Sequence, residues 1–227
     1  MQGIERPSRV LVVDDHPLFR QAFAFILSKE EGLEVVGEAE DGLGAMEACQ
    51  ELRPDLVLMD LSMPKMGGME ATRRIKGLLP QTAVLIVTAD ASEDLILEAV
   101  RAGAAGYVLK SEKPQGLVAA ARAVLAGDSP IDAGLAGRLV RRLAAEGEDP
   151  NGRPQPAPVV PTAPLTPREI EVLAGVVAGK TNRAIAGELH MSNSTVKRHL
   201  ERVVKKLGVS DRTQAAVRAT ELGLLSE

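Results

Sequence analysis

The sequence contains few aromatic residues and almost no cysteine. Aromatic side chains make up 2% of the 227 residues and tryptophan is absent, so any core is built from leucine, valine, isoleucine, alanine and methionine. The single cysteine, Cys49, excludes a disulfide framework or a cysteine zinc site within one chain. We expect Cys49 to be a small buried apolar residue on a helix.

Long hydrophobic runs are also missing. The N-terminal residues 1–9 are short and polar, without the apolar stretch of a signal peptide. No apolar run approaches the roughly 20 residues that are needed to cross a bilayer. We therefore expect a cytoplasmic protein without a membrane partner.

Charge is distributed unevenly along the chain. Residues 1–130 contain 13 Lys and Arg against 20 Asp and Glu, residues 131–164 contain four of each, and residues 165–227 contain 10 against 7. The formal net charge of −4 therefore hides an acidic front half and a basic tail. This asymmetry indicates different partners for the two halves.

Hydrophobic patterning predicts two folded regions. In residues 1–128, five short apolar runs alternate with helical patterns, which indicates a five-stranded parallel, doubly wound α/β domain. A helical stretch near 133–145 is followed by six prolines, so residues 129–163 are predicted to form a linker helix and an extended linker. Residues 164–227 are predicted to form a small all-α domain.

Ionisable and hydroxyl residues follow four of the predicted strands. Asp14 and Asp15 follow the first strand, Asp60 the third, Thr88 the fourth and Lys110 the fifth. Because the carboxyl ends of parallel strands meet at one edge of a sheet, these side chains should converge. Three neighbouring carboxylates repel one another, and their oxygens suit Mg²⁺. An aspartate beside such an ion and a lysine can accept a phosphoryl group.

The segments around these residues resemble the receiver domain of bacterial two-component response regulators. The similar segments are Val12–His16, Val57–Pro64, Ile86–Ala89 and Gly106–Ser111. The resemblance extends over about residues 8–126 and implies a flavodoxin-like fold. It also implies a sensor histidine kinase as partner.

The resemblance assigns a phosphoryl acceptor and a metal site. It implies that Asp60 takes the phosphoryl group from a phosphohistidine on the sensor kinase. Asp15 would bind Mg²⁺ directly and Asp14 largely through water. Asp60 and the backbone carbonyl of Ser62 would complete the protein ligands.

The resemblance also implies a conformational switch. Thr88 would move to hydrogen-bond the phosphoryl group, Tyr107 would turn inward with it, and Lys110 would pair with the product. Ser62 and Asp90 occupy positions that tune the lifetime of the phosphate. We hypothesise that Asp90 affects the access or orientation of the attacking water.

The basic tail has the pattern of a helix-turn-helix. Thr166 and Glu169 fit a capping box at the start of its first helix. A short helix and a turn lead to Ser192, the predicted N-cap of a helix that ends at Gly208. One side of this helix is an apolar stripe and the other is polar and basic. Its N-terminal half is predicted to enter the major groove of DNA.

The tail resembles the LuxR-type helix-turn-helix, and the whole chain resembles a NarL/FixJ-type response regulator. The segments that carry the resemblance include Leu165–Glu169, Gly179–Asn182, Ser194–Lys197 and Lys206–Val209. The implied contacts with double-stranded DNA come from Asn182, Ser192, Ser194, Thr195, Lys197, Arg198, Glu201, Arg202 and Lys205. The implied homodimer of the active protein uses apolar residues of the last helix, Ala215, Ala216, Ala219 and Leu222.

Glu201 departs from the basic or polar residue that is usual at its position. A carboxylate near DNA phosphates is unfavourable unless it accepts a hydrogen bond from a cytosine amino group. The alternative is an i,i+4 ion pair with Lys197 or Lys205, and we favour this pair.

Three other functions are weighed against a phosphorylation-controlled transcription regulator. An enzyme with a parallel sheet is disfavoured, because no glycine-rich phosphate loop or suitably placed histidine base is present. A phosphorylation-independent regulator of the same architecture is disfavoured by the complete acidic set with Thr88 and Lys110. A protein-interaction module whose tail binds another helix would not bind DNA at low salt.

Overall fold

A computed structural model describes four stretches of the chain. They are residues 6–90, 92–128, 163–209 and 211–225. The chain divides into two compact units, residues 1–126 and 127–227. The predicted helix at 133–145 and the proline-rich linker lie outside the described residues.

The N-terminal unit is a five-stranded parallel sheet with the strand order β2-β1-β3-β4-β5, which confirms the predicted α/β fold. Its strands are β1 (Ser8–Val13), β2 (Leu33–Ala39), β3 (Leu56–Met59), β4 (Ala83–Thr88) and β5 (Gly106–Leu109). Its helices are α1 (Pro17–Ser28), α2 (Gly42–Leu52), α3 (Gly68–Leu78), α4 (Glu93–Ala102) and α5 (Pro114–Leu125).

Helices cover both faces of this sheet. Alternate strand residues such as Val12 and Leu58 pack with α1 and α5 in one buried cluster. The strand residues that point to the opposite face, such as Val13 and Met59, pack with α2, α3 and α4 in a second cluster. Because both faces are buried, the strands read as continuous apolar runs. Cys49 lies in the second cluster, and its burial raises the pKa of the thiol to about 12.

The C-terminal unit consists of four described helices. They are α6 (Pro167–Val177), α7 (Asn182–Glu188), α8 (Asn193–Leu207) and α9 (Arg212–Glu221). The predicted capping box is confirmed, because the Thr166 hydroxyl accepts from the Glu169 N–H while the Glu169 carboxylate accepts from the Thr166 N–H. Ser192 caps α8 as predicted, and Gly208 ends it in the left-handed conformation.

The apolar side of α8 forms the centre of this unit. Val196, Leu200, Val203 and Leu207 are buried against α6 and its neighbours, as the sequence pattern predicts. The polar side of α8 is thereby left at the surface. None of the described helices has the combination of length and apolar character that crossing a membrane requires.

Candidate functional site

The carboxyl edge of the sheet brings the predicted acidic and basic residues together. Val13 and Met59 are paired in register, so the residues that follow β1 and β3 lie side by side. The Asp60 N–H donates to the Val13 carbonyl at 2.9 Å, and the Lys110 N–H donates to the Thr88 carbonyl at 2.7 Å. These backbone bonds hold the strand ends at fixed positions.

Lys110 joins two buried carboxylates. Its Nζ lies 2.7 Å from Asp14 Oδ2 and 3.0 Å from Asp60 Oδ2. Asp14 is 0% exposed and Asp60 is 3% exposed. The contact between Lys110 and Asp14 is an ion pair. The second oxygen of Asp60, Oδ1, accepts from the Leu61 N–H at 2.8 Å.

Burial and the neighbouring charges act in opposite directions on the ionisable side chains of this group. Burial and the neighbouring Asp14 charge raise the pKa of Asp60, and they outweigh the hydrogen bond and the positive charge of Lys110. The two carboxylates in turn raise the pKa of Lys110 against the opposing effect of its burial. By formal charge, the group holds the carboxylates of Asp14, Asp15 and Asp60 against one ammonium, and a divalent cation would complete the neutralisation.

Asp15 and His16 extend the acidic group toward solvent. Asp14, Asp15 and His16 each offer one ligand atom, and these atoms lie within 4.8 Å of one another. His16 Nδ1 is 2.8 Å from Asp15 Oδ1, and the His16 N–H donates to Asp14 Oδ1 at 2.9 Å. Ser62 lies exposed in the loop after β3. The carboxylate oxygens are the ligand type that Mg²⁺ prefers, so the donor set fits this ion.

The two predicted switch residues lie beside this edge. Thr88 is buried, and its hydroxyl accepts from the Asp90 N–H at 3.3 Å. Tyr107 is half-buried, and its hydroxyl has no hydrogen-bond partner within the described part of the chain. Burial and the Asp90 charge raise the pKa of Tyr107 to about 12. The Asp90 carboxylate accepts from the Ser92 N–H at 2.8 Å, at the start of α4.

Sequence reasoning missed two residues of α1 that touch the site. The ring of Phe19 lies beneath Lys110, with Nζ 4.8 Å from the ring centroid. Arg20 Nη1 donates to the Asp14 carbonyl at 2.6 Å, and its Nε is 3.3 Å from Glu38 Oε2. Their closeness to Asp14 in the sequence could have identified Phe19 and Arg20. The helix α1 begins three residues after Asp14, so its first turn lies at the same edge.

A second candidate site is the polar side of α8. Its exposed residues include all five charged residues predicted to contact DNA, Lys197, Arg198, Glu201, Arg202 and Lys205. At the N-terminus of the helix, the Ser192 hydroxyl lies 2.9 Å from that of Ser194 and 2.8 Å from that of Thr195. The structure therefore presents a mainly basic surface with hydroxyl groups at one end.

Asn182 differs from its expected surface position. Asn182 is only 2% exposed, and its side-chain oxygen accepts a hydrogen bond from Arg212 Nη1 at 3.2 Å. Arg212 Nη2 also donates to the Lys180 carbonyl at 2.6 Å. The predicted DNA contact by the Asn182 side chain is therefore corrected: this side chain fixes the start of α7 to α9.

Three of the four predicted dimer residues, the alanines of α9, also require correction. Ala215 and Ala219 are 0% exposed and Ala216 is 6% exposed. They pack inside the same unit against residues of α6 and α8, and Leu222 is half-buried. Because these alanines are used by the core of one chain, they offer no surface to a second chain.

The expected ion pair of Glu201 is not formed. Among the residues that the structure describes, Glu201 pairs with neither Lys197 nor Lys205, although all three are exposed on α8. The interpretation that we favour from sequence is therefore wrong for this structure. The carboxylate is free to face whatever binds the surface of α8.

Comparisons with known proteins agree with this two-part architecture. Residues 10–122 match the response regulator receiver domain, and residues 163–219 match the bacterial regulatory proteins of the luxR family. The transcriptional regulatory protein LiaR of Bacillus subtilis is 38% identical over 211 residues, which cover 93% of this chain and 96% of LiaR. The response regulator protein VraR of Staphylococcus aureus is 35% identical over 217 residues, which cover 96% of this chain and 98% of VraR.

Solved structures give the same result. A two-component response regulator of the LuxR family from Aurantimonas sp. SI85-9A1 superposes with a TM-score of 0.55 at 37% identity, over 60% of this chain and 97% of that chain. The RcsB response regulator of Salmonella typhimurium superposes with a TM-score of 0.53 at 25% identity, over 93% and 97% of the two chains. The chain therefore belongs to the response regulators, in the group of transcriptional regulatory proteins that join a receiver domain to a luxR-type DNA-binding domain.

Proposed function

We propose that this response regulator accepts a phosphoryl group on Asp60, and that phosphorylation controls its dimerisation and its sequence-specific binding to double-stranded DNA. The donor is a phosphohistidine of a sensor histidine kinase. The observation that carries the proposal is the buried Asp60 carboxylate at the edge of the sheet, 3.0 Å from Lys110 Nζ and beside a second buried aspartate.

Mg²⁺ is the implied cofactor. Its ligands would be the carboxylates of Asp14, Asp15 and Asp60 and the backbone carbonyl of Ser62. When bound, the ion neutralises the carboxylates and the oxygens of the incoming phosphoryl group. The charges support this assignment, because the three carboxylates of Asp14, Asp15 and Asp60 face the single ammonium of Lys110.

The transfer step is a displacement at phosphorus by an Asp60 carboxylate oxygen. The new bond joins this oxygen to phosphorus, the bond between phosphorus and the imidazole nitrogen of the donor breaks, and the imidazole leaves with the electron pair. The Leu61 N–H, which donates to Asp60 Oδ1 at 2.8 Å, fixes the rotation of the carboxylate. The Lys110 ammonium lies against Oδ2 and is placed to pair with a phosphoryl oxygen of the product.

The proposed switch uses the hydroxyl groups of Thr88 and Tyr107, neither of which contacts a phosphoryl group before transfer. The Thr88 hydroxyl, which accepts from the Asp90 N–H, turns to donate to the phosphoryl group. The Tyr107 hydroxyl has no hydrogen bond to lose within the described residues, so the ring can follow at little cost. The same local event biases the receiver between two conformations.

Hydrolysis of the acyl phosphate returns the protein to its first state. Ser62 and Asp90 are proposed to tune this step. The Asp90 carboxylate is held by the Ser92 N–H, which keeps it at the beginning of α4. Replacement of Asp90 by alanine is expected to change the lifetime of the phosphate, and an unchanged lifetime would exclude this role.

The output is DNA binding by α8. Its exposed Lys197, Arg198, Arg202 and Lys205 supply the positive charge that phosphates attract, and its N-terminal hydroxyls supply further hydrogen bonds. A homodimer would present two such helices to two half-sites. The dimer surface lies elsewhere than on the three buried alanines of α9.

The test is phosphorylation of the full chain by acetyl phosphate with Mg²⁺, followed by intact mass spectrometry. The wild type is expected to gain the mass of one phosphoryl group, about 80 Da. Asp60→Asn should show no gain. Asp55→Asn is the matched control, because Asp55 precedes the same strand that Asp60 follows and lies at its opposite end.

The two alternative outcomes are distinct. A gain that persists in Asp60→Asn would place the acceptor on another residue. If neither acetyl phosphate nor a panel of phosphorylated histidine kinases modifies the wild type, the phosphorylation-independent regulator replaces this proposal. In phosphorylated wild type, a shift in DNA binding or in oligomeric state would then identify the output.

A further inference from the structure

All three phenylalanines of the chain lie on α1, although aromatic residues make up only 2% of the sequence. One of them reaches the phosphoryl-acceptor site. Lys110 Nζ lies over the ring of Phe19 at 4.8 Å from the centroid. This distance is within the range at which an ammonium is attracted to the negative face of an aromatic ring.

The ring completes the surroundings of the Lys110 ammonium. Two of its neighbours are Asp14 Oδ2 at 2.7 Å and Asp60 Oδ2 at 3.0 Å. With the ring of Phe19 as third neighbour, the Lys110 side chain is only 10% exposed. A lysine side chain has a long flexible stem, so a third contact restricts the positions that its charge can occupy.

Phe19 is itself held in place. Its ring packs on the buried ring of Phe23, with centroids 5.9 Å apart, and the His16 ring meets it edge-on at 6.2 Å. Phe23 belongs to the main buried cluster on that face of the sheet. Phe19 is 36% exposed, and its contact with Phe23 connects one side of its ring to the core.

We propose that Phe19 is a positioning residue, whose ring keeps the Lys110 ammonium over Asp60 and limits its hydration. The proposal rests on the proposed function, because Lys110 matters there as the partner of the phosphoryl oxygens. Without the ring, the ammonium gains water and further conformations. A smaller fraction of molecules then has the charge aligned with the acceptor when the donor arrives.

The chain contains a matched control on the same helix. Lys29 Nζ lies over the ring of Phe25 at 5.1 Å from the centroid, which is nearly the same contact. Phe25 is 64% exposed and lies in the last turn of α1, whereas Phe19 lies in the first. Phe25→Leu therefore removes a comparable cation–π contact from α1 without changing the surroundings of Lys110.

The first measurement is the rate of Asp60 phosphorylation by acetyl phosphate with Mg²⁺, followed by intact mass. Phe19→Leu retains apolar volume but removes the negative electrostatic potential of the ring face. We expect it to react about 3- to 10-fold more slowly, the size of one partly desolvated cation–π contact. Phe19→Tyr should restore the wild-type rate, and Phe25→Leu should leave it unchanged.

The second measurement reports the contact itself. In protein labelled with ¹³C-lysine, the ring current of Phe19 should shift the Lys110 ε-methylene signal upfield in the wild type and in Phe19→Tyr. The shift should disappear in Phe19→Leu and persist in Phe25→Leu. A general loss of structure would instead move many lysine signals together, so this readout separates positioning from folding.

Three results would overturn the proposal. These are a wild-type rate in Phe19→Leu, a slow rate in Phe19→Tyr, or a Lys110 signal that does not depend on Phe19. If the wild type accepts no phosphate from any donor, the proposed function fails. The positioning role is then judged by the Lys110 signal alone, which supports it if the shift is lost in Phe19→Leu and overturns it otherwise.

Discussion

The two units of this protein treat charge in opposite ways. In the N-terminal unit, Asp14 and Asp60 are buried and a lysine ammonium is held between them at 2.7 and 3.0 Å. In the C-terminal unit, Lys197, Arg198 and Arg202 extend into solvent from the polar side of α8. The first arrangement fixes charges at short distances, whereas the second leaves them hydrated.

The difference matches the ligands that we propose for the two units. A phosphoryl group is small, so its partners must converge on a few oxygens and must be held by backbone bonds at strand ends. DNA is a long polyanion, and a helix surface can meet it with mobile cations that need no preformed partner. Burial of charge is therefore costly but necessary at the acidic edge of the sheet, and it is unnecessary on the polar side of α8.

The largest effect is expected from a substitution that disturbs the geometry of the acidic edge, Gly68→Ala. A Cβ on Gly68 would lie 1.8 Å from the Asp60 carbonyl oxygen and 2.8 Å from its carbon. Because both atoms are backbone, the end of β3 must move. We expect Gly68→Ala to lower the free energy of unfolding by about 3 kcal/mol or more, measured by urea unfolding with circular dichroism, and to slow phosphorylation strongly.

Gly77 is the control, since it lies on the same helix and a Cβ there meets nothing within 4 Å. Gly77→Ala should stabilise the protein by up to about 1 kcal/mol through helix propensity. Wild-type stability and phosphorylation in Gly68→Ala would mean that the edge of the sheet adapts, contrary to the rigid site described above.

Much of this edge could be predicted from the sequence. Alternating apolar runs and helical patterns place Asp14, Asp60 and Lys110 after their strands, and parallel topology brings strand ends together. The contact of Phe19 with Lys110 could not be derived in the same way. It depends on the orientation of α1 and on the packing of two rings, which no local pattern specifies.

The second prediction concerns Glu169, a carboxylate that is buried in the C-terminal unit. Glu169 is 2% exposed, accepts from the Thr166 N–H, and pairs with Lys206 Nζ at 2.7 Å. Burial alone would raise the pKa of Glu169, but the bonds from Lys206 and Thr166 outweigh it and hold the pKa below its usual value. Glu169→Gln should destabilise this unit by about 1–2 kcal/mol, because the ion pair with Lys206 is lost. The loss is limited, since water can hydrate Lys206 at its exposed side.

The pH dependence gives a sharper form of this prediction. Since the folded-state pKa of Glu169 is lowered, its contribution is fully present above the ordinary glutamate value of about 4.3 and is lost as the pH falls through the folded value. Hydrogen exchange of α6 and α8 peptides in the full chain should therefore separate wild type from Glu169→Gln at pH 7 and converge at lower pH. Glu171→Gln is the control, since Glu171 pairs with Arg168 at the surface of the same helix. A difference that does not depend on pH would exclude the charge of Glu169 as the cause.

The helical unit was harder to interpret from sequence than the sheet. The buried stripe of α8 follows from large apolar residues at helical spacing, and it was predicted correctly. In α9, Ala215, Ala216 and Ala219 are too small to distinguish a core face from a dimer face. Asn182 is buried because Arg212 reaches it from 30 residues away, a contact that sequence spacing does not reveal.

The third prediction tests the exposed surface that contrasts with the buried site, and it concerns DNA binding, not folding stability. Glu201 has no ion pair within the described residues, so its carboxylate can accept from a cytosine amino group in the major groove. Glu201→Ala is expected to change the preference at one base position by about 1–3 kcal/mol. Lys197→Ala should instead weaken binding to all sites equally and reduce the salt slope by about 1. Binding of phosphorylated protein to a panel of single-base variants measures both.

Glu171→Ala, outside α8, is the control for the loss of one negative charge. If Glu201→Ala raises affinity uniformly, as removal of a charge facing phosphates would do, the carboxylate repels the backbone and does not read a base. A change confined to one base pair would show that an exposed charge on α8 is also used specifically. The side chains of α8 would then take up a fixed geometry only when DNA binds, whereas those of the acidic edge are already fixed before a phosphoryl group arrives.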